Sequence, residues 1–341
     1  MPLLSQLTAG RLSVHRIRGS DSTLHYRRLP SRIMFARMFS VRHTSENLKN
    51  ELLRVVNDWE IADKIVAVVT DNAANIQAAV KQAGFKHVSC FAHTLNLVVQ
   101  SAIQSIDTLK TKVKHIVEYF RRSTVAAEKL ASLQLQMRED KGALKLKNDV
   151  VTRRNSTYHM CSRLCDVQEP LEAAIAVLHN PVTPLSADEW VALKEVTSSL
   201  KPFDAVTTEV SAEKSVTVSK VIMLSRGLMS ACRKTEAQLT NELAKVMMAK
   251  LIEGLRARFG LVETNPLLAR ATFLDPRFKR KGFASDNIYS QVLSDVTGIV
   301  ARKMSSDTAE TSEHQRSAAA AATTATAGEP LEFRLHCVIL V

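Results

Sequence analysis

An apolar run of strand length, Ile65-Val66-Ala67-Val68-Val69-Thr70, ends on Asp71 and passes through Asn72-Ala73-Ala74-Asn75 into a helix start. A carboxylate at the carboxyl edge of a buried strand stands where α/β proteins tend to place chemistry, and metal binding is its obvious use. If Asp71 is a metal ligand, it needs partners. Cys90-Phe91-Ala92-His93 has the spacing of half a zinc site. A structural zinc takes four ligands and no convincing second pair is in the chain, so a packed thiol beside a hydrogen-bonded His is the competing reading. Thr152-Arg153-Arg154-Asn155-Ser156-Thr157-Tyr158 sets two arginines among hydrogen-bonding side chains just before a helix. Guanidinium groups bind phosphates and stack on bases, and the plainer alternative is a loop with a capping Ser or Thr. Thr272-Phe273-Leu274-Asp275-Pro276-Arg277-Phe278 reads by itself as a turn between aromatics, because Asp-Pro favours turn initiation.

The elements that must position these residues follow from the apolar periodicity. Leu48, Leu52, Val55, Val56 and Trp59 fall at helical spacing behind Thr44 and Ser45, which can cap a helix that ends between Asp58 and Ala62. The strand Ile65 to Thr70 follows. A helix from Asn72 to Ala83 is stopped by Gly84, and a short strand spans His87 to Phe91. Two strands cannot make a stable sheet, so this α/β layer is incomplete as read. The rest reads as helix. Leu95, Val98, Val99, Ala102, Ile103 and Ile106 form one stripe, and Leu109, Val113, Ile116, Val117 and Phe120 form another. Further helices are expected over Thr157–Gln168, Pro170–His179, Asp188–Leu200, Val218–Glu236 and Gln238–Phe259, punctuated by Pro170, Pro181, Pro184 and Pro202. Ser317 to Gly328 is Ala-rich and of low complexity, and Leu331 to Val341 follows no defensible pattern.

The chain has 341 residues, 45% of them hydrophobic, which is enough for real cores. Its net charge of +12 favours contact with a polyanion, for which nucleic acid is the obvious candidate. Much of the excess is local. Arg11, Arg16, Arg18, Arg27, Arg28, Arg32, Arg37 and Arg42 face the single acid Asp21, so the start reads as a solvated, disordered tail or a nucleic-acid-binding arm. Its composition also resembles a mitochondrial targeting peptide, without a sustained amphipathic face. No apolar stretch reaches transmembrane length and no secretory apolar region follows the basic start, so an intracellular, soluble protein is expected. The five scattered cysteines, Cys90, Cys161, Cys165, Cys232 and Cys337, are expected to be reduced thiols. Cys161 and Cys165 lie one helical turn apart, as packing on a single face requires.

Taken in order, the segments Val69 to Asn75, Cys90 to Leu97, Thr152 to Tyr158 and Thr272 to Phe278 resemble the hAT superfamily of DNA transposases, and most nearly the BED-type zinc-finger proteins derived from them. The resemblance covers Phe39 to Met304. It implies an RNase H-like domain holding three acids for two divalent metals, with a large all-α domain inserted before the last acid. The implied fold class is α+β and predominantly helical. Its implied parts are a basic tail (1–42), a partial RNase H-like domain (43–106), a helical insertion domain (107–303) and a low-complexity or unstructured tail (304–341).

Residue by residue, Asp71 matches the second catalytic acid, Cys90 and His93 match a Cys-x-x-His pair that supports the site, and Arg153 matches the Arg of an Arg-Trp pair that meets DNA. At the Trp position stands Arg154, which can stack on a base through its guanidinium plane but lacks the indole's area. Neither the first acid nor the third Glu of the C-terminal dimerisation segment has a match, and the paired ligands of a BED finger are absent from the sequence. The expectation is therefore a catalytically inactive, transposase-derived nuclear protein or fragment that regulates transcription through DNA and protein contacts. It needs no cofactor, and magnesium only if the acid triad is completed elsewhere. Two alternatives stand beside it: strand-transfer chemistry completed by a partner chain or longer isoform, and an interaction scaffold that does not bind DNA. DNA is the expected partner, with protein partners or a homo-oligomer in addition and no membrane.

Overall fold

A computed structural model describes residues 12–16, 32–35, 42–137, 142–150, 153, 155–179, 182–211, 218–318 and 337–340. Helix predominates, as expected. The contacts divide the chain into two compact units, one formed by 1–90, 212–223 and 261–341, the other by 91–211 and 224–260.

The first unit contains a five-stranded sheet. Its strands are β1 (Leu12–Arg16), β2 (Arg32–Phe35), β3 (Ile65–Thr70), β4 (His87–Ser89) and β5 (Cys337–Leu340), in the order β2-β1-β5-β3-β4. β1 is antiparallel to β2 and β5, whereas β3 is parallel to both β4 and β5. In β3, Ala67, Val68, Val69 and Thr70 are all buried. Four consecutive buried residues mean that both faces of the strand are covered, which is why this segment shows no alternation. α1 (Ser45–Asp58) begins where the pattern indicates, with Thr44 Oγ1 accepting from Asn47 N at 3.2 Å. Its Leu52, Val55 and Val56 pack with Val68 of β3 and Val80 of α2 (Ala74–Gln82). Gly84, at φ +81°, takes the left-handed conformation that ends this segment.

Trp59 departs from the expected stripe. It is 46% exposed because α1 ends one residue earlier and Glu60 turns the chain at φ +50°.

Three strands appear where none was expected. β1 and β2 fall in the basic segment read as a disordered tail, and β5 falls near the end, in the segment read as unstructured. Leu12-Ser13-Val14-His15 does alternate apolar and polar residues, a strand pattern hidden by the density of arginines around it. Cys337-Val338-Ile339-Leu340 is an apolar run suited to a strand with neighbours on both sides, but its partners are far away in sequence, where local patterning gives no sign of them. The same unit holds α11 (Pro266–Leu274) and α12 (Asp286–Ala318), which pack against each other. α12 continues beyond the point where helix was expected to give way to low-complexity chain.

The second unit has no strand among its described residues and is mostly helix. It contains α3 (Phe91–Ile103), α4 (Asp107–Arg122), α5 (Thr124–Met137), α6 (Ser156–Asp166), α7 (Gln168–Val177), α8 (Ala187–Ser211), α9 (Val221–Glu236) from Leu224 onwards, and α10 (Glu242–Phe259). The α4 stripe of Leu109, Val113, Ile116, Val117 and Phe120 forms one side of a core completed by Leu130, Met160, Leu164, Leu171, Trp190 and Leu193. α3 and α10 approach closely at Gly254, where a Cβ would stand 2.9 Å from Val98 Cγ1.

The helix expected to stop at Leu200 runs through Pro202 to Ser211. Proline removes one backbone donor, but Phe203 and Thr207 beyond it are buried, and that burial keeps the helix going. A strap of irregular chain, residues 142–150, closes the unit. Gln134 donates to Leu144 O at 3.2 Å and accepts from Leu144 N at 2.9 Å, Arg163 donates to Lys145 O at 2.7 Å, and Arg121 donates to Leu146 O at 3.0 Å. These side chains satisfy backbone groups that neither helix nor sheet supplies with partners.

Candidate functional site

Asp71 stands past the carboxyl end of β3, exposed, with Oδ1 accepting from Ala73 N at 3.1 Å. The carboxylate thus forms a local turn into α2. Behind it the edge is well tied. Cys90, which follows β4, donates its amide to Thr70 O at 2.7 Å, so its backbone lies against the residue that precedes Asp71. Thr70 Oγ1 donates to Asp71 O at 2.8 Å and lies 2.8 Å from His87 Nε2. With its one proton committed, the hydroxyl must accept from Nε2–H. Burial, with Lys81 as a second cause, lowers the His87 pKa. The Thr70–His87 pair is a feature the sequence did not disclose. A polar strand end opposite a His three residues before a Cys was its only trace.

The Cys-x-x-His pair divides between elements. Cys90 is half-buried at the end of β4, and His93 is half-buried in the first turn of α3. The other thiols behave as packing groups. Cys161 is buried and Cys165 half-buried on one face of α6, and burial pushes the thiols of Cys161 and Cys232 up to about 12.

A two-metal centre of the kind the resemblance implies would need carboxylates beside Asp71. The strands flanking β3 carry His87, Val88 and Ser89 on one side and Cys337, Val338, Ile339 and Leu340 on the other. Neither strand contributes an acid. Among the described residues, no group of three or more His, Cys, Asp or Glu is close enough together to hold an ion. The donors present do not fit two magnesium ions.

The arginine loop lies in the helical unit. Arg153 is exposed on a turn closed by its own amide donating to Val150 O at 2.9 Å, and Asn155 takes the left-handed conformation at φ +61° just before α6. Asp149 fastens the loop by accepting from the hydroxyls of Ser156 and of Thr157, the latter at 3.1 Å. The Ser or Thr cap of the plainer reading is not formed: Asn155 stands at the N-cap without a side-chain cap bond, and the Ser156 and Thr157 hydroxyls donate to Asp149 instead. Arg154 lies outside the described residues. Beneath the loop the space bounded by Val99, Ile103, Leu200 and Phe203 is only about 10 Å³, too small for a base. Any contact made by Arg153 is therefore on the surface.

The Thr272 to Phe278 segment turns out to be a buried knot. Asp275, 1% exposed, accepts from Ser219 Oγ at 2.7 Å, from Arg277 Nε at 2.9 Å and Nη2 at 2.6 Å, and from Arg277 N at 3.0 Å. Thr272 Oγ1 donates to Ser219 O at 3.0 Å. Burial alone would raise the Asp275 pKa, but the Arg277 and Ser219 bonds outweigh it and hold the carboxyl at about 2. Asp-Pro indicated the turn. Nothing in the sequence pointed to Ser219, because its partner is remote.

With the helical unit, the aspartate at the strand edge and the arginine loop described, the chain can be set beside known proteins. Residues 88–199 match the family of the ZBED1 RNase-like helical domain. Zinc finger BED domain-containing protein 4 of Homo sapiens is 32% identical over 222 residues, covering 64% of this chain and 18% of that protein. Zinc finger BED domain-containing protein 6 of Homo sapiens is 27% identical over 252 residues, covering 68% of this chain and 24% of that protein. Zinc finger BED domain-containing protein RICESLEEPER 1 of Oryza sativa subsp. japonica is 24% identical over 273 residues, covering 74% and 37%. Over these stretches the chain is similar to hAT-derived, BED-type proteins. It spans between 18% and 37% of the length of these three relatives. No helix among the described residues is long and apolar enough to cross a membrane.

Proposed function

We propose that this chain is a nuclear, DNA-contacting regulator descended from a hAT transposase, without strand-transfer chemistry of its own. One observation carries the reading: Asp71 is flanked on both sides by strands that bring no carboxylate to its edge. Phosphoryl transfer by two metals depends on several acids converging where the ions sit, and a single exposed carboxylate already engaged in a turn does not hold them. The mixed sheet, with parallel strands on both sides of β3 and Asp71 at its carboxyl end, supports an RNase H-like ancestry for this unit.

With chemistry set aside, occupancy of DNA is the effect left to the protein. Arg153, exposed on a fixed turn, is the group we assign to that contact, with Arg154 beside it in sequence. Cys90, just after β4, and His93, in the first turn of α3, are assigned a supporting role. Regulation of transcription, in company with protein partners or a second copy of the chain, follows from that assignment. The test is incubation of the purified protein with duplex DNA and magnesium. We expect no cleavage or joining, and magnesium-dependent strand breaks abolished by Asp71→Ala would overturn the reading.

A further inference from the structure

The strap at residues 142–150 has a pattern that the proposed function does not use. Its sequence Leu144-Lys145-Leu146-Lys147 alternates apolar and basic residues, and its exposure alternates in step. Leu146 is buried in the helical core and Leu144 is packed against that core, while Lys145 and Lys147 face solvent. Lysines on a loop are ordinarily mobile, and holding them in place costs entropy.

Here the backbone beneath them is pinned at three consecutive residues, by the buried Gln134 at Leu144, by Arg163 at Lys145 and by Arg121 at Leu146. The two ammonium groups therefore start from a fixed base. Among the described residues neither lysine has an ion-pair partner. Three acids among the described residues have other partners: Asp149 the Ser156 and Thr157 hydroxyls, Glu118 Lys114 and Arg122, and Asp166 Arg163. The strap leads directly into the turn that exposes Arg153.

We infer that Lys145 and Lys147 form a preorganised ridge that contacts the phosphate backbone of duplex DNA, independently of base sequence and in continuity with Arg153. The inference rests on the DNA-contact reading above and adds to it the residues and the kind of contact. Lysine ammonium groups suit this role, since phosphate contacts position a protein on DNA without reading its sequence. Each phosphate contact also releases condensed counterions, which gives a signature independent of the complex's geometry.

The experiment is a titration of the full chain against two short duplexes of unrelated sequence over a range of salt. It compares wild type with Lys145→Gln/Lys147→Gln and with a charge-matched control, Lys201→Gln/Lys250→Gln. Lys201 and Lys250 are exposed residues of α8 and α10. Thermal melts establish that all three proteins are folded.

We expect the strap variant to bind both duplexes more weakly by the same factor. The slope of log affinity against log salt should be shallower by roughly 2, and the control should keep the wild-type slope. Wild-type binding with an unchanged slope in the strap variant would overturn the inference and leave the DNA reading standing. Equal losses in strap and control variants would also overturn it, by showing dependence on net charge alone. No binding by the wild type at low salt would overturn the DNA reading as well.

Discussion

Two aspartates follow the ends of elements, Asp71 past β3 and Asp275 past α11, and the structure treats them in opposite ways. Asp71 ends a buried strand, where a catalytic acid of the family would stand, yet it is exposed and accepts from Ala73 N. Asp275 follows the short helix α11 in a stretch read only as a turn, yet it is buried and bonded to Ser219 and to Arg277. The carboxylate suited by position to chemistry has few ties to the fold, and the one in the turn is held firmly. A functional carboxylate of a metal site would be converged upon by other acids, as Asp71 is not among the described residues. A structural one is converged upon by donors, as Asp275 is.

The largest effect that would break or confirm this contrast is expected from Asp275→Ala. Removing the carboxylate leaves the Ser219 hydroxyl and the Arg277 guanidinium without their acceptor. Because Arg277 is half exposed and regains water, we place the loss toward the lower end of the range for broken buried pairs, about 3 kcal/mol, read by chemical denaturation. Next is Gly282→Ala. A Cβ there would stand 2.4 Å from Thr272 Cγ2, a residue of the same knot, and the overpacking should cost about 2 kcal/mol by the same measurement.

The acid limb of the stability curve comes third. The folded pKa of Asp275, about 2, lies below its ordinary value of 3.8, so its contribution is fully present above that ordinary value and is lost as pH falls toward 2. Wild type should lose on the order of 2 kcal/mol more than Asp275→Asn across that window. An identical acid limb in the two proteins would show that the knot is not ionised as described. The smallest effect is expected from Asp71→Ala, within about 0.5 kcal/mol, since the side chain is exposed and bonds one amide. A loss comparable to that of Asp275→Ala would erase the distinction between the two sites.

How far the sequence disclosed each of these regions follows from the distance over which its interactions act. The cap at Thr44, the strand at Ile65 to Thr70, the left-handed Gly84 and the α4 stripe are all set by neighbours within a few residues, and all were legible. Trp59 was misread because helical spacing continued one residue past the point where the helix stops. The helix through Pro202 was missed because local propensity argued for a break, and only the burial of Phe203 and Thr207 overrides it. β5 was not read because it pairs with strands far from it in sequence, and the alternation of β1 was hidden by the arginines around it. The same distance hid Ser219 from Asp275 and the three pins from the strap. Of the residues expected at the site, Asp71, Cys90 and Arg153 could be named from their motifs, but whether acids gather around Asp71 depends on sheet order.

The most direct test of the central claim is binding of manganese, as a paramagnetic substitute for magnesium, to the full chain with Asp71→Asn as comparison. Free manganese is counted by its electron paramagnetic resonance signal. The account predicts superimposable titrations for the two proteins, with no site that depends on Asp71. Tight binding of two ions per chain, abolished by Asp71→Asn, would contradict it and return the strand edge to the status of an active centre.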